Sequence, residues 1–174
     1  MHRVPPDRKH LKRRGRRSIR TAAAAILLFA ITLCFPVVGS RAHSGLRLEV
    51  TACDTGDVLL RMEVTAGAEF SVWFLHSYDR APFEEHYRVL GREHIRLTHM
   101  TFKGSLNGQG FVLGTYRSLP DGSAELADID QELERVTFRL GSPDMADHTL
   151  SIGGRRLRLL DYAEAGTLLC IRVR

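Results

Sequence analysis

The sequence predicts an all-β fold, an antiparallel β-sandwich or partly open barrel, preceded by an N-terminal hydrophobic helix that acts as signal or anchor. Three observations predict it. Beyond residue 42, apolar residues recur at every second position in short runs rich in Val, Ile, Phe and Tyr, the period of a half-buried strand. Polar segments carrying Gly, Pro, Asp or Asn separate these runs, as turns require. Helical spacing is poor after residue 42, and only Ala124–Leu133 has the composition for a turn or two of helix. The chain divides into a leader, residues 1–42, and a single β-domain, residues 46–174, long enough for one core.

The leader comes first. Nine of the 25 Lys and Arg lie in residues 1–20, residues 21–38 carry no charge, and Gly39, Ser40, Arg41 and Ala42 supply a small-residue cleavage site. Positive, then apolar, then small is the order of a secretory signal. The apolar run of 18 sits at the short limit for a membrane span, and Pro36 near its end favours cleavage over a lasting helix. The expected location is therefore outside the cytoplasmic membrane: periplasmic if the leader is cleaved, anchored through residues 21–38 if it is not. Arg16-Arg17 matches a twin-arginine signal only as any pair would in so basic a stretch. Leu33 is too bulky for the position before a lipoprotein cysteine at Cys34.

Charge bears on partners. The whole chain carries +5, but after Ala42 there are 15 basic against 19 acidic residues, a net charge of −4. An acidic domain repels phosphate and releases no counterions from it, which argues against nucleic acid. With the leader removed, Cys53 and Cys170 remain near the two ends of the domain. In an oxidising compartment they can form a disulfide; as small apolar side chains they can equally be buried thiols, and both readings stand.

Along the domain, Leu46–Ala52 and Val58–Val64 flank Cys53-Asp54-Thr55-Gly56-Asp57 and read as a hairpin. Phe70–Tyr78, Phe83–Leu90 and His94–Phe102 follow as strands. The loop-rich stretch Lys103–Asp130 contains a short candidate strand at Phe111–Tyr116. Arg135–Leu140, His148–Ile152, Arg155–Leu160 and Leu168–Val173 complete the set. The segment Gly104–Gly114 lacks the Gly-Lys-Ser/Thr end and the following helix of a phosphate loop, so it reads as a surface loop.

Strand alternation places the polar candidates. In the third strand Phe70, Val72, Phe74, His76 and Tyr78 share a face; in the fourth, Phe83, Glu85, Tyr87 and Val89 do. A four-residue loop, Asp79–Pro82, would set Tyr78 opposite Phe83, His76 opposite Glu85, Phe74 opposite Tyr87 and Val72 opposite Val89. His76 and Glu85 would then meet on the core side. A three-residue loop Gly91-Arg92-Glu93 would set Val89 against Ile95, Tyr87 against Leu97 and Glu85 against His99; a two-residue Gly91-Arg92 loop would instead place Thr98 opposite Glu85, and apolar matching favours the first. The Gly153-Gly154 turn pairs Leu150 with Leu157 and puts His148 on an apolar face beside Leu159.

A histidine beside a carboxylate is most simply a structural pair. Its functional alternatives are a polar pocket for a small ligand and, from His76, Glu85 and His99, a metal site. His76 and Ser77 point to opposite faces of a strand, so they cannot act as base and nucleophile, and no serine sits in a glycine elbow. An enzyme is the least favoured class, and no cofactor is expected.

The run FSVWFLHSYDRAPFEEHYRV and the tail ADHTLSIGGRRLRLLDYAEAGTLLCIRV resemble the domain of unknown function 1850 family across residues 46–174. The resemblance implies a small exported β-domain, often encoded beside tripartite ATP-independent periplasmic (TRAP) transporters of the TAXI type. Transporter components or their solute are thus the implied partners. His76, Ser77, Pro82, Glu85 and His148 fall on the family's recurrent polar positions. Two departures stand out. LysGlySerLeuAsnGlyGlnGly follows Phe102 where the family tends to a Gly-Ala-Gly-like turn, and His99 stands where an acidic residue is more usual.

Overall fold

The computed structural model describes residues 45–104 and 113–174. The leader and most of the Gly104–Gly114 loop lie outside the described residues. Twelve strands among the described residues form two antiparallel sheets. The smaller has the order β2 (Val58–Val64), β1 (Leu46–Ala52), β12 (Leu168–Val173), β9 (Arg135–Arg139). The larger runs β11 (Arg155–Arg158), β10 (Thr149–Ile152), β3 (Glu69–Leu75), β4 (Pro82–Gly91), β5 (His94–Phe102), β7 (Ala124–Ala127), β6 (Thr115–Ser118). A short β8 (Gln131–Leu133) pairs with the far half of β5. The two sheets face each other across the core and do not close into a barrel.

The core follows from the alternation. Leu48, Val50, Leu169, Ile171 and Val173 of the smaller sheet meet Val72, Val89, Ile95, Leu126 and Leu150 of the larger in one buried cluster. Fully burying each such side chain contributes roughly 1.5–3 kcal/mol, which is what holds two otherwise separate sheets together. At one margin the Glu93 amide donates to the Val173 carbonyl at 2.8 Å, tying the β4–β5 turn to the last strand. Near the other end of β12, the sulfurs of Cys53 and Cys170 are bonded, with their Cα atoms 5.4 Å apart. Cys53 also donates its amide to the Leu168 carbonyl, so the β1–β2 turn is clamped to β12 by backbone and sulfur together.

Three expectations need correction. The stretch Ala124–Leu133 is two short strands, not helix: Met100–Phe102 and Ile95–Leu97 of β5 offer it unpaired backbone, and Asp128 takes positive φ to break between them. The third strand stops at Leu75 instead of Tyr78, and each β3 residue pairs with a β4 residue four places earlier than expected. Val72 lies opposite Glu85, Phe74 opposite Phe83 and Phe70 opposite Tyr87, while Tyr78 is 77% exposed. The cause is that the Leu75 amide is taken by the Ala146 carbonyl at 2.7 Å, and a six-residue loop closes at 76–81. In that loop Arg80 takes φ +52° and donates its amide to the His76 carbonyl.

The third correction concerns β5. Val89–Ile95 and Tyr87–Leu97 pair as expected, but Thr98 is then an extra residue, and His86, not Glu85, lies opposite His99. Such a bulge shifts the following side chains to the other face. Buried positions on β5 accordingly switch from Ile95 and Leu97 to Met100 and Phe102. Thr98 is held there by its hydroxyl, which donates to the His86 carbonyl at 3.0 Å, and by its own carbonyl, which accepts from the Ile129 amide.

Candidate functional site

His76, Ser77, Glu85 and His148 line one cavity of about 690 Å³; His76 and Ser77, expected on opposite faces of a strand, lie beyond the end of β3 and both border it. It opens beneath the 76–81 loop and the 141–147 turn, and the rest of its wall is mainly apolar: Phe74, Phe83, Met100, Leu140 and Met145. The two covering segments are joined by the Arg80 guanidinium, which donates to the Asp144 carbonyl. Although His76 and Glu85 are not cross-strand partners, both line the cavity: Glu85 stays on the inner face because the register moved by an even number of residues, and His76 reaches it from the loop.

Each polar group is positioned locally. His76 begins the loop; its Nδ1 lies 3.2 Å from Asp79 Oδ2 and 3.3 Å from the Asp79 amide nitrogen. Its ring stands 6.0 Å from that of Phe83. Glu85, on the inner face of β4, accepts a 2.6 Å hydrogen bond from the Tyr87 hydroxyl two residues along the same face. Burial pushes the Glu85 carboxyl above the ordinary carboxylate range, and the Tyr87 bond only partly opposes this. Burial, followed by the neighbouring Glu85, pushes the Tyr87 hydroxyl up, so it remains a donor.

His148 precedes β10 and is only 7% exposed. Its ring lies between Phe138, at 4.7 Å, and Phe74, at 5.3 Å. Burial lowers its pKa to about 4, against a smaller opposing effect of Asp147, so the imidazole is neutral at pH 7. The Gly141 amide donates to Nδ1 at 3.3 Å, which assigns the remaining ring proton to Nε2. The cavity thus offers a neutral imidazole N–H and a buried carboxyl with a raised pKa, set in aromatic and aliphatic walls. That combination can bind and orient an uncharged hydrogen-bonding group.

His99 does not join this site. The Thr98 bulge turns it to the outer face of the larger sheet, where its ring stacks on His86 at 4.0 Å and 4°. The metal set of His76, Glu85 and His99 is therefore divided between two faces of one sheet. Among the described residues no three His, Cys, Asp or Glu side chains converge as metal ligands. Sequence reasoning missed Tyr87, Asp79 and Arg139. Tyr87 was legible as the same-face neighbour of Glu85; Arg139, which also donates to the Gly166 carbonyl, borders the cavity with no local sequence signal to report it.

Fold and site together define a disulfide-clamped β-sandwich with one half-apolar, hydrogen-bonding cavity. The family described as Domain of unknown function (DUF1850) matches residues 70–159, a span that runs from β3 to the residue after β11 and contains His76, Ser77, Glu85 and His148. The chain belongs to that family. No curated protein and no solved structure matches it.

Proposed function

We propose that this is a non-enzymatic binding domain that receives a small, partly apolar organic solute in the cavity beneath the 76–81 loop. The observation that carries the proposal is the convergence of His76, Ser77, Glu85 and His148 on one cavity of about 690 Å³, within the range of roughly 300–1,000 Å³ usual for small-ligand sites. A few hydrogen-bonding groups on largely apolar walls suit a solute whose polar atoms are few and fixed in place. The basic-then-apolar leader supports action outside the cytoplasmic membrane, and the family resemblance supports work beside a TRAP-type transporter.

A thermal-shift and native mass-spectrometry screen of small organic solutes tests the binding step. His148→Phe keeps the aromatic stack and removes both ring nitrogens; Glu85→Gln keeps an acceptor for Tyr87. Loss of binding in both folded variants is the expected result. Unchanged affinity in both would remove the site. For the partner, affinity capture from membranes should recover a transporter subunit; its absence, with normal uptake in a deletion strain, would refute that part.

A further inference from the structure

We propose that the outer face of the larger sheet binds an uncharged carbohydrate chain, with one sugar ring against Trp73 and the neighbouring hydroxyls in the polar trough beside it. This site is separate from the cavity and lies on the other side of β3 and β4. One line of side chains builds it. Arg156 of β11, Ser151 of β10, Ser71 of β3, His86 of β4 and His99 of β5 are successive cross-strand neighbours. They share the outer face, because the residues next to them in sequence, Leu157, Leu150, Val72, Tyr87 and Met100, are buried in the core. Four steps of about 4.8 Å between strands make the row roughly 19 Å long, the length of a short oligosaccharide. All five residues line a trough of about 440 Å³. Glu84, on the same face of β4 as His86, lines the trough as well, and with its cross-strand neighbour Trp73 it borders a second hollow of about 250 Å³.

The row holds hydrogen-bonding groups that the fold does not use. The Ser151 hydroxyl is buried and has no partner among the described residues. The Thr98 hydroxyl donates to the His86 carbonyl at 3.0 Å, so it accepts from His99 Nδ1, also at 3.0 Å, and the neutral His99 ring keeps Nε2 as a free acceptor. Ser71 donates to Glu84 Oε1 at 2.5 Å, which leaves the second carboxylate oxygen open. The charges lining the trough balance: Glu69 and Glu84 stand against Arg155 and Arg156, and Glu69 is already paired with Arg88 at 2.7 Å. A net anion would meet Glu84 and a net cation would meet Arg156. Adjacent hydroxyls, each able to donate and to accept, satisfy both, together with Ser151 and His99. The half-buried indole of Trp73 then offers a flat apolar surface to the C–H face of a sugar ring.

Trp73 is the only tryptophan in the sequence, so its fluorescence reports on this site alone. The test titrates the purified full chain, in a detergent without a sugar head group, with cellotriose, maltotriose and tri-N-acetylchitotriose. A saturable change in emission with at least one of them is expected. Ser151→Ala removes a hydroxyl the fold does not use, and Glu84→Gln keeps an acceptor for Ser71. Each should weaken that saccharide about tenfold, the size of one lost hydrogen bond, with the melting midpoint unchanged. No response to any of the three, or a response that ignores both substitutions, overturns the proposal and leaves the cavity reading standing. A response to spermidine, citrate or glutamate in place of the saccharides overturns it equally.

Discussion

His148 gives the sharpest handle on the site, because its burial is a stability statement. In the unfolded chain its imidazole titrates near 6.5; in the fold its pKa is lowered to about 4. Above pH 6.5 the ring is neutral in both states and the difference contributes nothing against folding. As pH falls from 6.5 toward 4 the unfolded chain binds a proton that the folded one refuses, so stability is lost across that window. The full difference corresponds to roughly 3 kcal/mol at pH 4, and water reaching the ring edge through the cavity reduces this to about 2 kcal/mol. His148→Phe keeps the contacts with Phe138 and Phe74 but has nothing to protonate. It also orphans the Gly141 amide, a pH-independent loss of about 1 kcal/mol. Urea unfolding of both proteins at several pH values between 4 and 7.5 isolates the effect. The gap between them should narrow or reverse by about 2 kcal/mol as pH falls. Parallel curves across the range would mean the imidazole is solvated, and the neutral donor assigned to the cavity would be lost with it.

Three further outcomes follow from the same structure. Glu85 acts with the opposite sign: its folded carboxyl is raised above its ordinary 4.5, so its contribution is present below that pH and falls as pH rises; Glu85→Gln should therefore gain on wild type from pH 4 to pH 7 in the same urea assay. Replacing Cys53 and Cys170 by Ser opens a loop spanning 117 residues, and in the chain-entropy model this removes up to about 5 kcal/mol, read as a lowered melting midpoint that reductant no longer affects. Gly141→Ala would set its Cβ 2.5 Å from the Cβ of Ala146, forcing the 141–147 turn outward at a cost of about 1–3 kcal/mol and weakening any ligand held beneath it; an unchanged melting midpoint would show the turn to be loose.

Much of the fold was legible because it rests on short-range pattern. Leu46–Ala52, Val58–Val64, His94–Phe102 and Leu168–Val173 have the bounds that alternation alone assigns, and Leu150 does pair with Leu157 across Gly153-Gly154. What was illegible depends on partners far along the chain. Nothing near Leu75 announces that Ala146 will capture its amide, yet that bond ends β3 and moves the register. Nothing near Thr98 announces Ile129, yet the bulge it supports decides where His99 points. The helix expectation at Ala124–Leu133 failed in the same way, since local composition yielded to the open backbone of β5.

The site survived one of these errors and not the other, and the reason is parity. A strand displaced by an even count keeps every side chain on its face, so Glu85 remained inward although its expected partner had moved into a loop. An inserted residue is an odd count, and it exchanges the faces of everything beyond it. One threonine therefore moves His99 to the outer face, where it stacks on His86, and burial and repulsion from His99 hold His86 below its ordinary pKa, while the buried neutral ring of His148 faces the cavity. Reasoning from alternation can predict membership of a face wherever the strands are unbroken. At a bulge it predicts the opposite face with equal conviction, so β4 from Phe83 to Val89, which carries no inserted residue, and not β5, is the stretch on which the assignment of Glu85 to the cavity depends.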